Sequence, residues 1–142
     1  MVRVRVEGKV IGMASIKLEK VGETLTGSNY ADVANEIMKR GMQGRFQGLS
    51  TSKLRGIYGL IMNVYTRVTG PEEFKANEAD IQYLKVRMAY ESGRERSVRE
   101  FLDATGLFGA LDGVRDYETF VLYCRYAESL VAYFKFYGGK DN

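Results

Sequence analysis

The chain has 142 residues, 45% hydrophobic and 27% charged, which is enough for one globular domain with its own core. It contains no histidine and a single cysteine, Cys124. This removes the commonest general base, every Ser–His or Cys–His nucleophile pair, a disulfide framework and the usual zinc donor set. No apolar run reaches the ~18 residues of a membrane span. Met1 is followed by alternating Val and Arg rather than a secretory apolar region, so a cytoplasmic protein is expected.

Residues 1–28 read differently from the rest. Val2, Val4 and Val6 alternate with Arg3, Arg5 and Glu7, a period of two. Glu7-Gly8 suits a turn and residues 9–19 a second strand, so the segment reads as a strand pair or a flexible tail. An isolated two-stranded ribbon is marginal in water and needs a partner. Gly22 to Ser28 has the composition of a linker.

From Asn29 the apolar period changes to about 3.6. Asn29 suits the N-cap of a helix over 30–40, with Val33, Ile37 and Met38 inward and Gly41 ending it. Residues 41–48 read as a mobile, basic, glycine-bearing loop. The Ser50-Thr51-Ser52 run starts a second helix, striped by Leu54, Ile57, Tyr58, Ile61, Tyr65 and Val68 and stopped by Gly70-Pro71. Gly56 and Gly59 inside it each cost about 1 kcal/mol relative to Ala, so something is expected to approach the backbone closely there.

A third helix is expected from Glu72 or Asn77 to Ser92, with Ile81, Leu84 and Met88 inward. A fourth runs over 97–104, ended by Gly106. A fifth runs from about Asp112 to Tyr137. Its main stripe is Tyr117, Phe120, Val121, Cys124, Val131 and Phe134, widened by Leu122, Tyr126, Leu130 and Tyr133. Two apolar faces on one helix imply burial by its own core and by another subunit. The expected fold is all-α, a compact bundle of about five helices over 29–142, with the N-terminal extension 1–28 strand-like or flexible.

Charge is unevenly spread. Residues 1–70 carry 11 Lys/Arg against 5 Asp/Glu, and residues 71–142 carry 10 against 13. No acid lies between Glu36 and Glu72, a stretch holding Lys39, Arg40, Arg45, Lys53, Arg55 and Arg67. Such a block attracts polyanions, or it is a solvated face balanced by the acidic half. No P-loop is present, and the glycines at 41, 44 and 48 follow no strand, so a dinucleotide fingerprint fails. Glu72-Glu73 beside Pro71 suits a helix start. Glu128 is expected to pair with Arg125 or with an arginine of a neighbouring helix. Cys124 reads as a small buried hydrophobe. Tyr58, Tyr65, Tyr83, Tyr90, Tyr126, Tyr133 and Tyr137 read as core packing with a polar tip rather than base stacking. No cofactor, no metal and no catalysis are expected.

Three segments carry a family resemblance. Leu49-Ser50-Thr51-Ser52-Lys53-Leu54-Arg55-Gly56-Ile57-Tyr58 resembles the Leu-Thr-Thr-Ser-Gln-Ile-Arg-Lys segment of the Csm small subunit of type III-A CRISPR-Cas effector complexes. The stretch from Leu84 to Arg94 resembles that family's central Ala-Tyr-x-x-Gly-Arg segment. The stretch from Glu128 to Lys140 resembles its C-terminal Glu-Ala-x-Val-Ala-Tyr-x-Lys-x-Tyr-Gly-Gly end. The likeness covers about residues 29–140. Lys53 stands where glutamine is common and Gly56 where a basic residue is common. The resemblance implies an all-helical, non-catalytic antiviral-defence subunit that lines the inner channel. It implies contact with guide RNA and target single-stranded RNA through the backbone, without reading sequence. It implies partnership with other Csm subunits, self-association as a homodimer or a filament of copies, and no membrane. Lys53, Arg55 and Arg94 fall on motif positions, and Lys85 and Arg87 precede Arg94 on the same segment. Lys39, Arg40, Arg45 and Arg67 join the candidate RNA-binding set on charge alone. The alternative is a helical protein–protein interaction module with no RNA contact.

Overall fold

A computed structural model describes residues 14–139, so the expected Val2–Val6 strand and the Glu7-Gly8 turn lie outside the described residues. A short antiparallel hairpin comes first, β1 (Ser15–Leu18) and β2 (Glu23–Thr26), with Ile16 opposite Leu25. Six α-helices follow: α1 (Tyr30–Gly41), α2 (Thr51–Tyr65), α3 (Pro71–Ala76), α4 (Glu78–Arg94), α5 (Arg96–Thr105) and α6 (Tyr117–Phe136). A 3₁₀ turn at Gly109–Gly113 joins α5 to α6.

The stretch expected to be a linker is in part β2. The chain turns through Gly22 at φ +79°, a left-handed conformation that favours glycine. Ile16, Leu18 and Leu25 alternate inward and are buried, while Lys17, Glu23 and Thr24 face water. Two four-residue strands would not hold alone. They are held because Leu18 packs over Gly106 and Ile16 over Gly113, roofing the corner between α5 and α6. Asn29 serves this hairpin and not α1. Its Oδ1 accepts the Thr26 N–H at 2.7 Å and its Nδ2 donates to the Thr24 carbonyl at 2.8 Å, so no side chain caps α1.

The loop after α1 is pinned, against the expectation of mobility. Phe46 is fully buried and meets Phe101 edge-on, ring centres 5.3 Å apart. Its ring lies so close to Gly41 that a Cβ there would sit 2.1 Å from it. The helix ends at Gly41 because only a glycine leaves room for the aromatic that closes it. Ser50 starts α2 as expected, its Oγ accepting the Lys53 N–H at 3.2 Å. α2 ends at Tyr65, before Gly70-Pro71, and the pair instead opens α3 with Pro71 in its first turn. The expected third helix is two, because Asn77 turns back, its Nδ2 donating to the Glu73 carbonyl at 2.8 Å.

α6 is the axis of the bundle. A capping box starts it: Asp116 Oδ1 accepts the Thr119 N–H at 2.9 Å, and Thr119 Oγ1 accepts the Asp116 N–H at 3.1 Å. The expectation that its second apolar face meets another subunit is corrected. Leu122, Tyr126 and Leu130 are fully buried within this chain, with α1, α2 and the hairpin packed around the helix. Two phenols inside find carbonyl partners, Tyr123 donating to Leu107 at 2.9 Å and Tyr126 to Thr105 at 2.6 Å. Burial pushes both phenols above the usual tyrosine range and pushes the Cys124 thiol well up. Tyr58, Tyr65, Tyr133 and Tyr137 are half-buried as expected of core packing, but Tyr83 and Tyr90 stand in water.

Two predictions follow from this packing. In the unfolded chain Cys ionises near ~8.5 and Tyr near ~10. The folded chain holds these protons to higher pH, so the unfolded state binds fewer protons and stability falls as pH rises above about 8.5. Urea midpoints followed by circular dichroism from pH 7 to 11 should show this decline. A Tyr123→Phe/Tyr126→Phe variant should start lower, since each unpaired buried carbonyl costs about 1–3 kcal/mol, and should decline less steeply above pH 10. Separately, Gly41→Ala should destabilise by about 1–3 kcal/mol through overpacking against Phe46, and an unchanged melting temperature would contradict the packing described.

Candidate nucleic-acid interface

α2 and α4 run antiparallel. Near one end of the pair Lys53 meets Glu95, and near the other Arg67 meets Asp80. Between them at the Lys53 end lies a cleft of about 290 Å³, lined from α2 by Ser52, Lys53, Gly56, Ile57 and Leu60, and from α4 by Arg87, Glu91 and Arg94. Three of the nine candidate cations come together here. Lys53 Nζ lies 3.0 Å from Glu95 Oε1 and donates to Ser97 Oγ at 3.4 Å. Arg87 and Arg94 share one carboxylate, Glu91, each at 3.4 Å. Arg94 also lies over the Tyr90 ring, 5.6 Å from its centre.

The outer face of α2 beside this cleft consists of Ser52, Arg55, Gly56, Gly59 and Asn63, all exposed. A Cβ built on Gly56 or Gly59 meets nothing within 4 Å among the described residues. Packing among the described residues therefore does not require either glycine. Arg55 carries no ion pair among the described residues. Counting the lining charges, Lys53, Arg87 and Arg94 against Glu91 and Glu95, the cleft keeps a cationic surplus, with Arg55 on the helix face beside it.

The other candidates lie elsewhere. Arg40 and Arg45 join Lys20 around a second cleft of about 330 Å³ between the hairpin turn and the end of α1. Arg40 pairs with Glu36 at 3.3 Å and Arg45 with Glu100 at 3.0 Å. Lys39 is exposed at the same end of α1, without an ion pair among the described residues. Arg67 pairs with Asp80 at 3.3 Å at the far end of the α2–α4 pair. Lys85 pairs with Asp112 at 3.1 Å. It lies across the buried stripe Ile81–Leu84–Met88 from Arg87, because two residues along a helix turn the side chain to the opposite flank. Glu128 is exposed on α6 and pairs with no arginine among the described residues, against expectation. Ser97 and the exposure of Tyr83 and Tyr90 were missed in the sequence. The signal for the tyrosines was their place opposite Ile81, Leu84 and Met88 on one helix.

Cys124 is the chain's one thiol, and burial raises its pKa, opposite to the activation a nucleophile needs. No helix among the described residues is long and apolar enough to cross a membrane.

Fold and cleft together define a small helical domain with a one-sided cationic groove beside a bare helix face. Residues 27–140 match the family described as Csm2 Type III-A. The chain is 38% identical over 122 residues to the "CRISPR system Cms protein Csm2" of Streptococcus thermophilus, covering 82% of this chain and 98% of that one. It is 40% identical over 135 residues to the protein of the same name from Enterococcus italicus, covering 83% and 96%. The Mycobacterium tuberculosis protein of that name is 35% identical over 111 residues, covering 72% and 87%. The chain belongs to the Csm2 family, the small subunit of the type III-A CRISPR complex. The hairpin lies wholly outside the family span, yet its Ile16, Leu18 and Leu25 complete the core.

Because nothing among the described residues fills the space at Gly56 and Gly59, Gly56→Ala and Gly59→Ala should each raise stability, by about 0.5–1 kcal/mol. Denaturant midpoints that fall instead would reveal an internal contact at these positions.

Proposed function

We propose that this chain is a non-catalytic small subunit that lines the inner channel of a type III-A complex and holds the guide–target RNA backbone in the α2–α4 cleft. Phosphates would meet Lys53, Arg55, Arg87 and Arg94, while the backbone runs over the bare face at Gly56 and Gly59. The observation that carries this reading is the pair of helix-interior glycines with no packing partner among the described residues, set beside a cationic surplus. A polyanion that approaches closely accounts for both features. Sequence-independent binding fits this set, in which Lys53 is turned to Glu95 and Arg87 and Arg94 to Glu91, since contacts to phosphates carry no sequence information. Lys39, Arg40 and Arg45 form a second basic group that would extend the track or face a neighbouring subunit. Other Csm subunits and further copies of this chain are the expected protein partners.

The ion pairs do not argue against this use. Their members are partly exposed, and such pairs contribute roughly 0–1 kcal/mol. A phosphate chain can replace a carboxylate at little cost while Glu91 and Glu95 keep the cations oriented in its absence.

The test is binding of labelled single-stranded RNAs of unrelated sequence, and of a guide–target duplex, across a salt series. Wild type should bind the sequences alike. Lys53→Ala/Arg87→Ala should bind all of them more weakly, and its log–log salt slope on single strands should be shallower by about 1.4, or ~0.7 per lost phosphate contact. Lys85→Ala, on the other flank, should change the slope far less. If wild type binds neither RNA at low salt, the interaction-module alternative takes precedence.

A further inference from the structure

Two segments of α4 repeat one unit. Tyr83-Leu84-Lys85-Val86-Arg87 and Tyr90-Glu91-Ser92-Gly93-Arg94 are both Tyr-x-x-x-Arg, seven residues apart. Seven residues are two helical turns, so the tyrosines stand on one line and the arginines on the line beside it. The arginine line opens on the cleft, and the tyrosine line lies beside it on the side away from the core, with the Arg94 guanidinium 5.6 Å from the Tyr90 ring centre. Tyr83 and Tyr90 are 56% and 58% exposed, and Val86 between them is 58% exposed. Core packing explains none of the three, because α4 turns Ile81, Leu84 and Met88 to the interior instead.

The charge beside the stripe decides what fits it. Arg87 and Arg94 share the single carboxylate of Glu91, so the rim is cationic. A second copy docking through the same stripe would bring these arginines towards their own counterparts. A partner with negative charge along one edge and flat apolar faces along the other meets no such conflict. Single-stranded nucleic acid has that chemistry, and tyrosine rings bind bases of any sequence by stacking. We propose that Tyr83 and Tyr90 form a base-stacking platform for single-stranded RNA, each ring taking one base while Arg87 and Arg94 hold the adjoining phosphates. The two rings are ~10.5 Å apart along the helix axis, about three stacked steps at ~3.4 Å each, so the bases taken are not neighbours. Bases in a duplex are already stacked and paired, so the platform favours unpaired RNA over the duplex. This inference rests on the cleft reading given above and adds to it a stacking surface that the phosphate contacts do not require.

The full chain would be tested with a labelled single-stranded RNA, the same sequence as a duplex, and inorganic polyphosphate, which has charge but no bases. Tyr83→Ala/Tyr90→Ala should weaken single-strand binding by about tenfold for each ring. It should leave the salt slope and polyphosphate binding unchanged and shrink the preference for single strand over duplex. Tyr83→Phe/Tyr90→Phe should restore single-strand affinity. Sedimentation velocity of the free protein should not distinguish these variants from wild type. The proposal is overturned if the alanine variant binds single-stranded RNA like wild type, or loses polyphosphate to the same extent. It is equally overturned if the substitution dissociates an oligomer while RNA affinity holds, which would assign the stripe to a second copy. Wild type that binds neither RNA nor polyphosphate would sink the cleft reading itself, and with it this one, an outcome separable from a defect confined to the tyrosines.

Discussion

Tyr123 and Tyr126 bring two hydroxyls into the middle of the bundle, and a buried hydroxyl without a partner is expensive. Their acceptors, the Leu107 and Thr105 carbonyls, lie in the one corner where the chain leaves α5. That corner depends on Gly106 at φ +74°, and Thr105 Oγ1 steadies it by donating to the Phe101 carbonyl at 2.8 Å. Leu18 of the hairpin then covers Gly106. The buried axis therefore dictates how α5, the 3₁₀ turn and the hairpin sit. α4 lies further out, with two tyrosines and a valine left in water on its outer face. The surface available for function is the surface this constraint does not use.

The two halves of the chain, opposite in net charge, meet at that surface. Arg45, Lys53 and Arg67 from the basic block reach Glu100, Glu95 and Asp80 from the acidic half. The balanced, solvated face and the polyanion-attracting block were alternatives at the level of sequence. The geometry shows that the first is largely realised without excluding the second. Exposed pairs bind weakly, and Glu91 serves two arginines at once, so neutralisation is incomplete where the cleft opens.

Periodicity made most of the helices legible, because an apolar stripe every three to four residues has few other meanings. Leu54, Ile57 and Ile61 on α2, and Ile81, Leu84 and Met88 on α4, are buried as their spacing requires. Side chains with a choice of partner were harder to read. Asn29 suits a helix cap and a hairpin brace equally, and the deciding carbonyl, that of Thr24, lies in a segment with no apolar pattern. Phe46 is isolated in a glycine-rich loop, and only the tertiary fold brings Phe101 to it. The second face of α6 was rightly read as buried. Its cover proved to be this chain and not another, a distinction periodicity does not carry. Of the candidate cations, spacing joined Arg87 to Arg94, but only the antiparallel packing of α2 on α4 brings Lys53 to them.

Glycine is used in this chain in three ways, and the third is the informative one. Gly106 takes a conformation that other residues adopt at a cost. Gly41 makes room for a ring that a methyl group would strike. Gly56 and Gly59 do neither, since they are helical and a side chain on either would meet open space. Backbone conformation and packing account for the first two, and neither accounts for the pair in α2 among the described residues. The reading proposed for the pair is the close approach of a polyanion outside the chain. Lys53, Arg87 and Arg94 beside those glycines fit such a partner by charge, and the exposed rings of Tyr83 and Tyr90 fit one that has flat faces as well as phosphates.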